Sequence, residues 1–360
     1  MEKTNLRVQD ASTVEEALEL MRAKLRNVVP EFELTYKAEL AFKINRLKKE
    51  LNAVILAHNY MEPALYHTVS DYSGDSLELA RISAKSDADI IVFCGVKFMA
   101  ETAKILNPDK LVLLPAEKAG CSLAESITGE DVRDLKRRFP GVPVVSYVNT
   151  YADVKAETDI CCTSSNAAAV IKQFADKGHK RIIFLPDEYL AQNVAAEIDI
   201  PIIFPSLPVS KKDSDPKNLK RELIGWRGRC EVHEKFTVED IENVRKQFPD
   251  TVILSHPECS PDVIKNSDFS GSTKAMIDYV KNVAAPRYLL LTECSMGDNI
   301  IAENPEREML RLCSVRCPHM NLITLEDTLA ALERKQYEVT LPDDIVVKAR
   351  SSLDRMLEIG

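Results

Sequence analysis

The side chains best suited to chemistry in this 360-residue chain stand at the ends of short apolar runs. VILAHNY ends on His58 and Tyr60, and VILSHPE ends on His256 and Glu258. Imidazole, phenol and carboxylate groups are the usual carriers of protons in catalysis. The apolar runs predict buried strands, so these groups are expected at strand tips, and Glu258 follows a proline that stiffens the backbone and places it for proton transfer.

The two runs belong to an internal repeat. SDYSGDS at 70–76 resembles SDFSGST at 267–273, and this shift of 197 residues agrees within one residue with the shift between the VIL runs. A third and weaker copy lies between them, where VVSYVNT precedes TDICCTS at 158–164. The sequence therefore predicts three related α/β units.

Each copy carries the same series of polar groups. A strand tip, which is Tyr147 to Asn149 in the middle copy, is followed by a hydroxyl at a predicted helix start and then by a cysteine. The hydroxyls are Ser76, Ser164 and Thr273, and the cysteines are Cys121, Cys230 and Cys317. Hydroxyls and free N–H groups at helix starts bind anions, so three equivalent ones favour a polyanionic ligand.

The spacing of these groups also indicates an insertion. From hydroxyl to cysteine is 45 residues in the first copy, 66 in the second and 44 in the third. The excess falls at 205–224, a segment rich in Pro, Lys, Asp and Ser that we expect to be a surface loop.

Three cysteines in equivalent slots indicate a soft metal. In parallel α/β sheets, ligands gather at the carboxyl ends of the strands, so three thiolates could converge if the units pack around one axis. Zinc and an iron–sulfur cluster both remain candidates. In a [4Fe-4S] cluster, three cysteines would leave one iron open as a Lewis acid. Cys94, Cys161 and Cys294 are expected to be small buried apolar residues instead.

The order of elements predicts an α/β fold with parallel sheets. Apolar residues at helical spacing predict two amphipathic helices within 12–50, and continuous apolar strands then alternate with helices. The predicted strands are 53–57, 89–94, 110–115, 142–148, 181–186, 200–205, 251–255 and 287–292. The expected domains are a helical extension (1–37), unit one (38–140), unit two (141–249) and unit three with C-terminal helices (250–360).

Composition limits the kind of partner. A net charge of −9 argues against sequence-independent binding to nucleic acid or anionic membranes, and no apolar run is long enough to span a bilayer. The N-terminal sequence lacks the apolar core of a secretory signal, so we expect a cytoplasmic protein whose nine cysteines are reduced thiols or metal ligands. Small metabolites are the expected partners.

At this point the motifs resemble those of the quinolinate synthase family. The matching motifs run in family order from about residue 40 to the C-terminus. They are AHNY, GDSLELAR, FCGVKFMAETAKIL, AGCS, YVNT, CTSSNA, LPD, HPE, GSTK and CPHM. The resemblance implies three pseudo-threefold-related α/β/α units with short parallel sheets around one central active site. It also implies a [4Fe-4S] cluster held by Cys121, Cys230 and Cys317, with one open iron.

The resemblance implies a reaction and a set of site residues. The family is a transferase of NAD biosynthesis that condenses iminoaspartate (iminosuccinate) with dihydroxyacetone phosphate to quinolinate, phosphate and water, and coupling to the enzyme that makes iminoaspartate is possible. Tyr60, His256 and Glu258 would be catalytic. The implied substrate contacts are His58, Ser76, Tyr147, Val148, Asn149, Ser164, His256, Pro257, Glu258 and Thr273. The sequence CSVRCPHM offers two cysteines, and Cys317 is preferred to Cys313 because it lies eight residues before Leu325, as in the family.

Three other interpretations remain open from the sequence. A dehydratase of another small carboxylic acid could use the same three-cysteine cluster. An iron or oxygen sensor could hold a labile cluster, although such a sensor needs a partner surface. A zinc site could take the place of the cluster.

Overall fold

A computed structural model describes residues 7–205, 221–312 and 315–359. Most of the predicted insertion at 205–224 lies outside the described residues, as does Cys313. The surface-loop prediction is wrong for residues 222–224, because they belong to a strand, Glu222–Gly225, in which Leu223 and Ile224 are buried. The described chain alternates short strands and helices. The helices are α1 Val14–Leu25, α2 Glu31–Glu50, α3 Pro63–Thr68, α4 Ser76–Lys85, α5 Lys97–Leu106, α6 Ser122–Glu125, α7 Gly129–Arg138, α8 Ala152–Ala156, α9 Ala167–Asp176, α10 Glu188–Glu197, α11 Val238–Gln247, α12 Pro261–Asn266, α13 Thr273–Asn282, α14 Cys294–Glu303, α15 Leu325–Arg334 and α16 Asp343–Glu358.

The strands form three sheets, and the strand pairs described in them are parallel. Their orders are β2-β1-β3-β4, β6-β5-β7-β9-β8 and β11-β10-β12-β13. The strands are β1 Ala53–His58, β2 Tyr72–Gly74, β3 Ile90–Cys94, β4 Leu111–Leu113, β5 Val144–Tyr147, β6 Ile160–Cys162, β7 Arg181–Leu185, β8 Ile202–Ile203, β9 Glu222–Gly225, β10 Thr251–Ser255, β11 Phe269–Ser270, β12 Arg287–Leu291 and β13 Met309–Leu310. The predicted α/β fold with short parallel sheets is confirmed, as are the two helices within 12–50.

One aspartate in each sheet repeats the same local structure. The Asp71 carboxylate accepts the N–H of Ile55 at 2.8 Å, while the Asp71 N–H donates to the Ile55 carbonyl at 2.9 Å. Asp268 makes the same pair of bonds with Ile253, at 2.8 and 2.9 Å. In the middle copy, Asp159 bonds in both directions to Val144 at 2.7 and 3.0 Å. These aspartates are the ones shared by the sequence repeat, so the repeat has a structural counterpart.

The chain divides into two compact units. The first unit comprises 1–119, 250–252 and 277–340, and the second comprises 120–249, 253–276 and 341–360. In the first unit, α2 packs against α1 and α15. In the second unit, α16 packs against α8 and β6. The boundaries of the three expected units stay a prediction.

The interiors of both units are apolar, as burial of the central strands requires. Ile91 and Val92 of β3 and Ile183 and Phe184 of β7 are fully excluded from solvent. Within the described ranges, no helix is long and apolar enough to cross a membrane.

Candidate active site

Glu258 is the centre of a buried polar cluster in the second unit. It follows β10 by three positions and is 3% exposed. The Tyr147 hydroxyl at the end of β5 donates to Glu258 Oε1 at 2.5 Å, and the Asn149 amide approaches the same oxygen at 3.4 Å. His233 Nδ1 lies 2.9 Å from the other carboxylate oxygen, Oε2. Groups from two predicted strand tips and from a third segment therefore meet on one carboxylate.

His256 and His233 extend this cluster. Their rings stack with centroids 4.6 Å apart and an interplanar angle of 22°. His256 Nδ1 lies 3.8 Å from Glu258 Oε1, and its Nε2 lies 3.5 Å from the Ser164 hydroxyl. His256, Glu258 and Ser164, each named from the sequence, are thus brought together in the second unit.

The surroundings of Glu258 favour its charged form. Burial by itself disfavours a carboxylate, but the charges of His233 and His256 and the hydrogen bonds from His233 and Tyr147 outweigh burial. Together they hold the pKa of Glu258 well below its usual range. The cluster is therefore built around an ionised acceptor.

Two of the predicted metal ligands lie beside this cluster. Cys230 Sγ is 3.3 Å from His233 Nδ1, and its pKa is raised well above the usual thiol value by burial, by Glu258 and by Cys121. The ligand atoms of Cys230, His233 and Glu258 all lie within 4.8 Å of one another. A thiol in this setting becomes a thiolate only if a cation offsets the charge, which a metal would supply.

The loop that carries Cys230 is tied to the end of β7. The Gly228 N–H donates to the Pro186 carbonyl at 3.0 Å, and the Gly228 carbonyl accepts from Glu188 N–H at 2.7 Å. A side chain at Gly228 would bring its Cβ within 2.7 Å of the Pro186 oxygen. The buried Glu188 carboxylate also pairs with Arg227 at 3.1 Å and Arg229 at 3.0 Å. Cys230 is thereby held on a fixed backbone.

The first unit has its own polar strand tip. After β1, the Tyr60 hydroxyl lies 2.5 Å from the Thr292 hydroxyl at the end of β12. The His58 and Tyr60 rings meet edge to face with centroids 4.6 Å apart. This pair of hydroxyls can pass a proton, since either oxygen can donate to the other.

A second buried carboxylate, Glu293, lies next to Thr292. It is 2% exposed and accepts the N–H of Ser295 at 2.7 Å, which caps α14. Burial raises the pKa of Glu293 to about 7. The hydrogen bonds that its carboxylate accepts, including one from the backbone of Cys317, act in the opposite direction but are outweighed. Cys317, the third predicted metal ligand, is half-buried.

Three strand tips share one further arrangement, in which a side-chain nitrogen donates to the carbonyls on both sides of one residue. The Asn299 amide donates to the carbonyls of Asn59 (3.1 Å) and Met61 (2.9 Å), which flank Tyr60. Around Glu258, the Asn193 amide donates to the carbonyls of Pro257 (2.8 Å) and Cys259 (2.9 Å). Around Asn149, the Lys155 ammonium group donates to the carbonyls of Val148 (2.9 Å) and Thr150. Asn193 and Asn299 are both the sixth residue of their helices, α10 and α14. The tips are therefore fixed by side chains as well as by strands.

The predicted site residues are distributed over both units. The first unit holds His58, Tyr60, Ser76 and Cys317, and the second holds Cys121, Tyr147, Val148, Asn149, Ser164, Cys230, His256, Pro257, Glu258 and Thr273. Convergence of all of them on one cavity stays a prediction.

The predicted helix starts are confirmed for two of the three hydroxyls. Ser76 and Thr273 are the first residues of α4 and α13, but the prediction is wrong for Ser164, because α9 begins at Ala167. The cap of α4 is Asp75 rather than Ser76, since the Asp75 carboxylate accepts the N–H groups of the first turn. The hydroxyl of Ser76 is therefore not used as the cap of its own helix.

Sequence reasoning missed His233 and Asp187. His233 has no histidine at the equivalent positions of the other two copies, Ala124 and Met320, so only the three-dimensional arrangement joins it to Glu258. Asp187, in the LPD motif, is fully buried and caps α10 through the Leu190 N–H at 2.7 Å. Burial and the nearby charge of Glu258 raise the pKa of Asp187. The position of Asp187 just after the end of β7 is the feature of the sequence that could have identified it.

Comparison with known proteins assigns the chain to a family. Residues 42–358 match the family model described as quinolinate synthetase A protein. The chain is 48% identical over 348 residues to quinolinate synthase 2 of Mesorhizobium japonicum, covering 97% of this chain and 100% of the relative. It is 50% identical over 334 residues to quinolinate synthase 1 of the same organism, covering 93% of this chain and 95% of that protein. For quinolinate synthase of Caulobacter vibrioides, the identity is 48%, over 93% of this chain and 86% of the relative. The chain belongs to the quinolinate synthetase A family and, as its motifs predicted, is an enzyme of that family.

Proposed function

We propose that this enzyme condenses iminoaspartate with dihydroxyacetone phosphate to form quinolinate, with release of phosphate and two waters. The observation that carries the proposal is the buried Glu258 with Tyr147 at 2.5 Å and His233 at 2.9 Å. Forming and closing the pyridine ring requires a proton acceptor that is ionised before the substrate arrives. The names of the relatives support the same reaction.

Glu258 is the proposed proton acceptor. Its Oε1 and Oε2 atoms are held by Tyr147 and His233, so the carboxylate is oriented before substrate binds. A proton taken up by Glu258 can be returned to the substrate, because His233 at 2.9 Å holds the carboxylate in the same place for both steps. Stepwise dehydration needs such a reversible proton carrier.

Tyr60 is the proposed second proton-transfer group. Its hydroxyl is hydrogen-bonded to Thr292 at 2.5 Å, and its backbone is fixed by Asn299. The proposed substrate contacts are His58, Ser76, Tyr147, Val148, Asn149, Ser164, His256, Pro257, Glu258 and Thr273. The hydroxyls in this set suit the carboxylates of iminoaspartate and the phosphate of the triose.

The proposal includes a [4Fe-4S] cluster held by Cys121, Cys230 and Cys317, with one iron left without a protein ligand. The donor chemistry fits: none of the eight cysteines among the described residues is in a disulfide, and Cys121 lies close enough to raise the pKa of Cys230. A cationic iron–sulfur core would offset the charge of thiolates at these positions. When bound, such a cluster supplies a Lewis acid for substrate oxygen or nitrogen atoms.

We also propose that the protein works in the cytoplasm and receives iminoaspartate from the enzyme that makes it. Free cysteines within the described ranges and a net charge of −9 support a reducing aqueous compartment. These parts of the proposal concern supply and location, and the chemistry does not depend on them.

An anaerobic assay tests the proposed reaction. The protein is purified without oxygen, incubated with iminoaspartate and dihydroxyacetone phosphate, and quinolinate and phosphate are measured together. The expected result is one phosphate for each quinolinate. A protein that carries the cluster and forms no quinolinate would refute the proposal and favour a dehydratase of another acid or a sensor.

A further inference from the structure

A cavity lies within the first unit, and none of its lining side chains is a proposed substrate contact or proton-transfer group. Its volume is about 650 Å³, within the range that holds small-molecule ligands. The walls come from the 3-10 turn Val8–Asp10, from α1, α3, α13 and α14, and from residues 70–73 before and within β2. Part of the N-terminal extension thus forms one side of it.

Three lining side chains bury polar atoms that have no hydrogen-bond partner: Gln9 Oε1, His67 Nε2 and Asn299 Oδ1. The opposite ends of two are engaged, because Gln9 Nε2 donates to the Ser70 carbonyl at 2.9 Å and Asn299 Nδ2 holds two carbonyls. His67 Nδ1 lies 3.5 Å from the Glu303 carboxylate, so a neutral ring with its proton on Nδ1 has Nε2 as an acceptor. All three atoms are therefore acceptors that could be satisfied by hydrogen-bond donors, such as hydroxyl or amino groups.

The charges around the cavity favour an anion. Its two carboxylates have partners, since Glu303 pairs with Lys24 at 2.8 Å and Asp71 pairs with the buried Lys48 at 2.8 Å. Arg7 and Lys281 are exposed cations among the lining residues, and Arg7 also pairs with the exposed Asp10 at 3.7 Å. A ligand that offers hydroxyls to the buried acceptors and an anionic group to these cations matches both features.

We propose that this cavity binds a hydroxyl-bearing phosphate ester, with its sugar on Gln9, His67 and Asn299 and its phosphate near Arg7 and Lys281. Because Asn299 also holds the carbonyls that flank Tyr60, the ligand would share a side chain with the Tyr60 loop. The proposal is independent of the reaction assigned to the enzyme. A nucleotide and a sugar phosphate share the required chemistry.

Calorimetric titration of the whole protein tests the site. The probes are adenosine 5′-monophosphate and ribose 5-phosphate, with inorganic phosphate and spermidine as comparisons. Both esters are expected to bind at least roughly tenfold more tightly than inorganic phosphate, because only they satisfy the buried acceptors. Tighter binding of the nucleotide identifies a nucleotide site, and equal binding identifies a sugar phosphate site.

Variants separate this cavity from the candidate active site, which also receives a phosphate ester. The double variant R7Q/K281Q is expected to weaken both esters by at least roughly tenfold and to leave quinolinate formation unchanged. Lys43→Gln, an exposed lysine of α2, is the matched control and should bind as the parent does. Thr273→Ala should also keep ester binding at this site.

The proposal is overturned by any of three results. These are absence of ester binding at millimolar concentration, equal affinity in the parent and R7Q/K281Q, and binding of spermidine alone. A crystal soaked in adenosine 5′-monophosphate that shows only water in the cavity would also overturn it. Since all of these measure binding, a failure here does not affect the assay of quinolinate formation.

Discussion

The tips of β1 and β10 have the same backbone and different chemistry. At the first tip the Tyr60 N–H donates to His58 Nδ1 at 3.3 Å, and at the second the Glu258 N–H donates to His256 Nδ1 at 3.4 Å. An asparagine amide then holds the carbonyls on either side of Tyr60 and of Glu258. The repeat therefore preserves the position of the histidine and of the side chain two residues after it.

What differs is the side chain in that second position and its surroundings. Tyr60 meets a neutral hydroxyl, Thr292, whereas Glu258 meets an imidazole and a phenol. The first arrangement suits transfer of a proton between neutral oxygens, and the second stabilises a negative charge. The repeat therefore supplies one scaffold twice, and the side chain at a single position, Tyr60 or Glu258, differs between the two tips.

The largest expected effect comes from removing the charge at the β10 tip. Glu258→Gln keeps the shape of the side chain but removes the proton acceptor, so kcat should fall by roughly 10³- to 10⁴-fold in an anaerobic quinolinate assay. The matched control is Glu242→Gln, an exposed carboxylate of α11, which should retain activity. Full activity in Glu258→Gln would contradict the role of this carboxylate.

The aspartates of the repeat should differ in their effect on stability. Asp71→Ala removes the partner of Lys48, which is 4% exposed, so the free energy of unfolding should fall by about 3 kcal/mol. Asp268→Ala removes an equivalent strand contact, but its ion pair with Arg245 is exposed. The free energy of unfolding should therefore fall by only about 1 to 2 kcal/mol. Urea unfolding of both variants measures this. Equal losses would show that burial of Lys48 adds nothing.

The tip of β1 should tolerate a change better than the tip of β10. Tyr60→Phe removes one hydroxyl and leaves Asn299 holding the backbone, so kcat should fall by roughly 10- to 100-fold. Tyr72→Phe is the control, because Tyr72 is exposed and in the same unit. If Tyr60→Phe were as inactive as Glu258→Gln, the division of tasks between the tips would be wrong.

A smaller effect is expected on the pH dependence of stability, and it comes from His67. Burial and the charge of Lys24 lower the pKa of His67 to about 4, from a usual value near 6.5. The unfolded chain then binds a proton that the folded chain does not, so stability is full above about pH 6.5 and falls as the pH drops toward 4. The loss is on the order of 1 to 3 kcal/mol. His67→Gln should weaken this pH dependence in urea unfolding, and an unchanged dependence would show that another group causes it.

The sequence was most informative where residues repeat. The longer apolar runs became strands at nearly the predicted bounds, since burial on both faces leaves a continuous signal, as in β1 and β10. The two- and three-residue strands, such as β2 and β11, are too short to give any periodicity. Their positions depend on the aspartate that precedes each one, Asp71 or Asp268.

The candidate site was predictable in its residue types but not in its charges. His256, Glu258 and Tyr147 followed from their places at strand ends. The opposite pKa shifts of Glu258 and Glu293 did not, because both are buried and only neighbours distant in sequence distinguish them. His233 supplies that difference for Glu258, and this histidine has no counterpart in the other two copies of the repeat. Ser164 was misplaced because the turn before α9 adds residues that its sequence does not reveal.

The metal content of anaerobically purified protein tests the central claim most directly. If Cys121, Cys230 and Cys317 hold one cluster, the parent should contain about four iron and four sulfide per chain. Cys317→Ser should lose most of that iron, while Glu258→Gln should keep it. About one zinc per chain, retained in Cys317→Ser and lost in Glu258→Gln, would instead identify Cys230, His233 and Glu258 as the metal ligands and contradict the account.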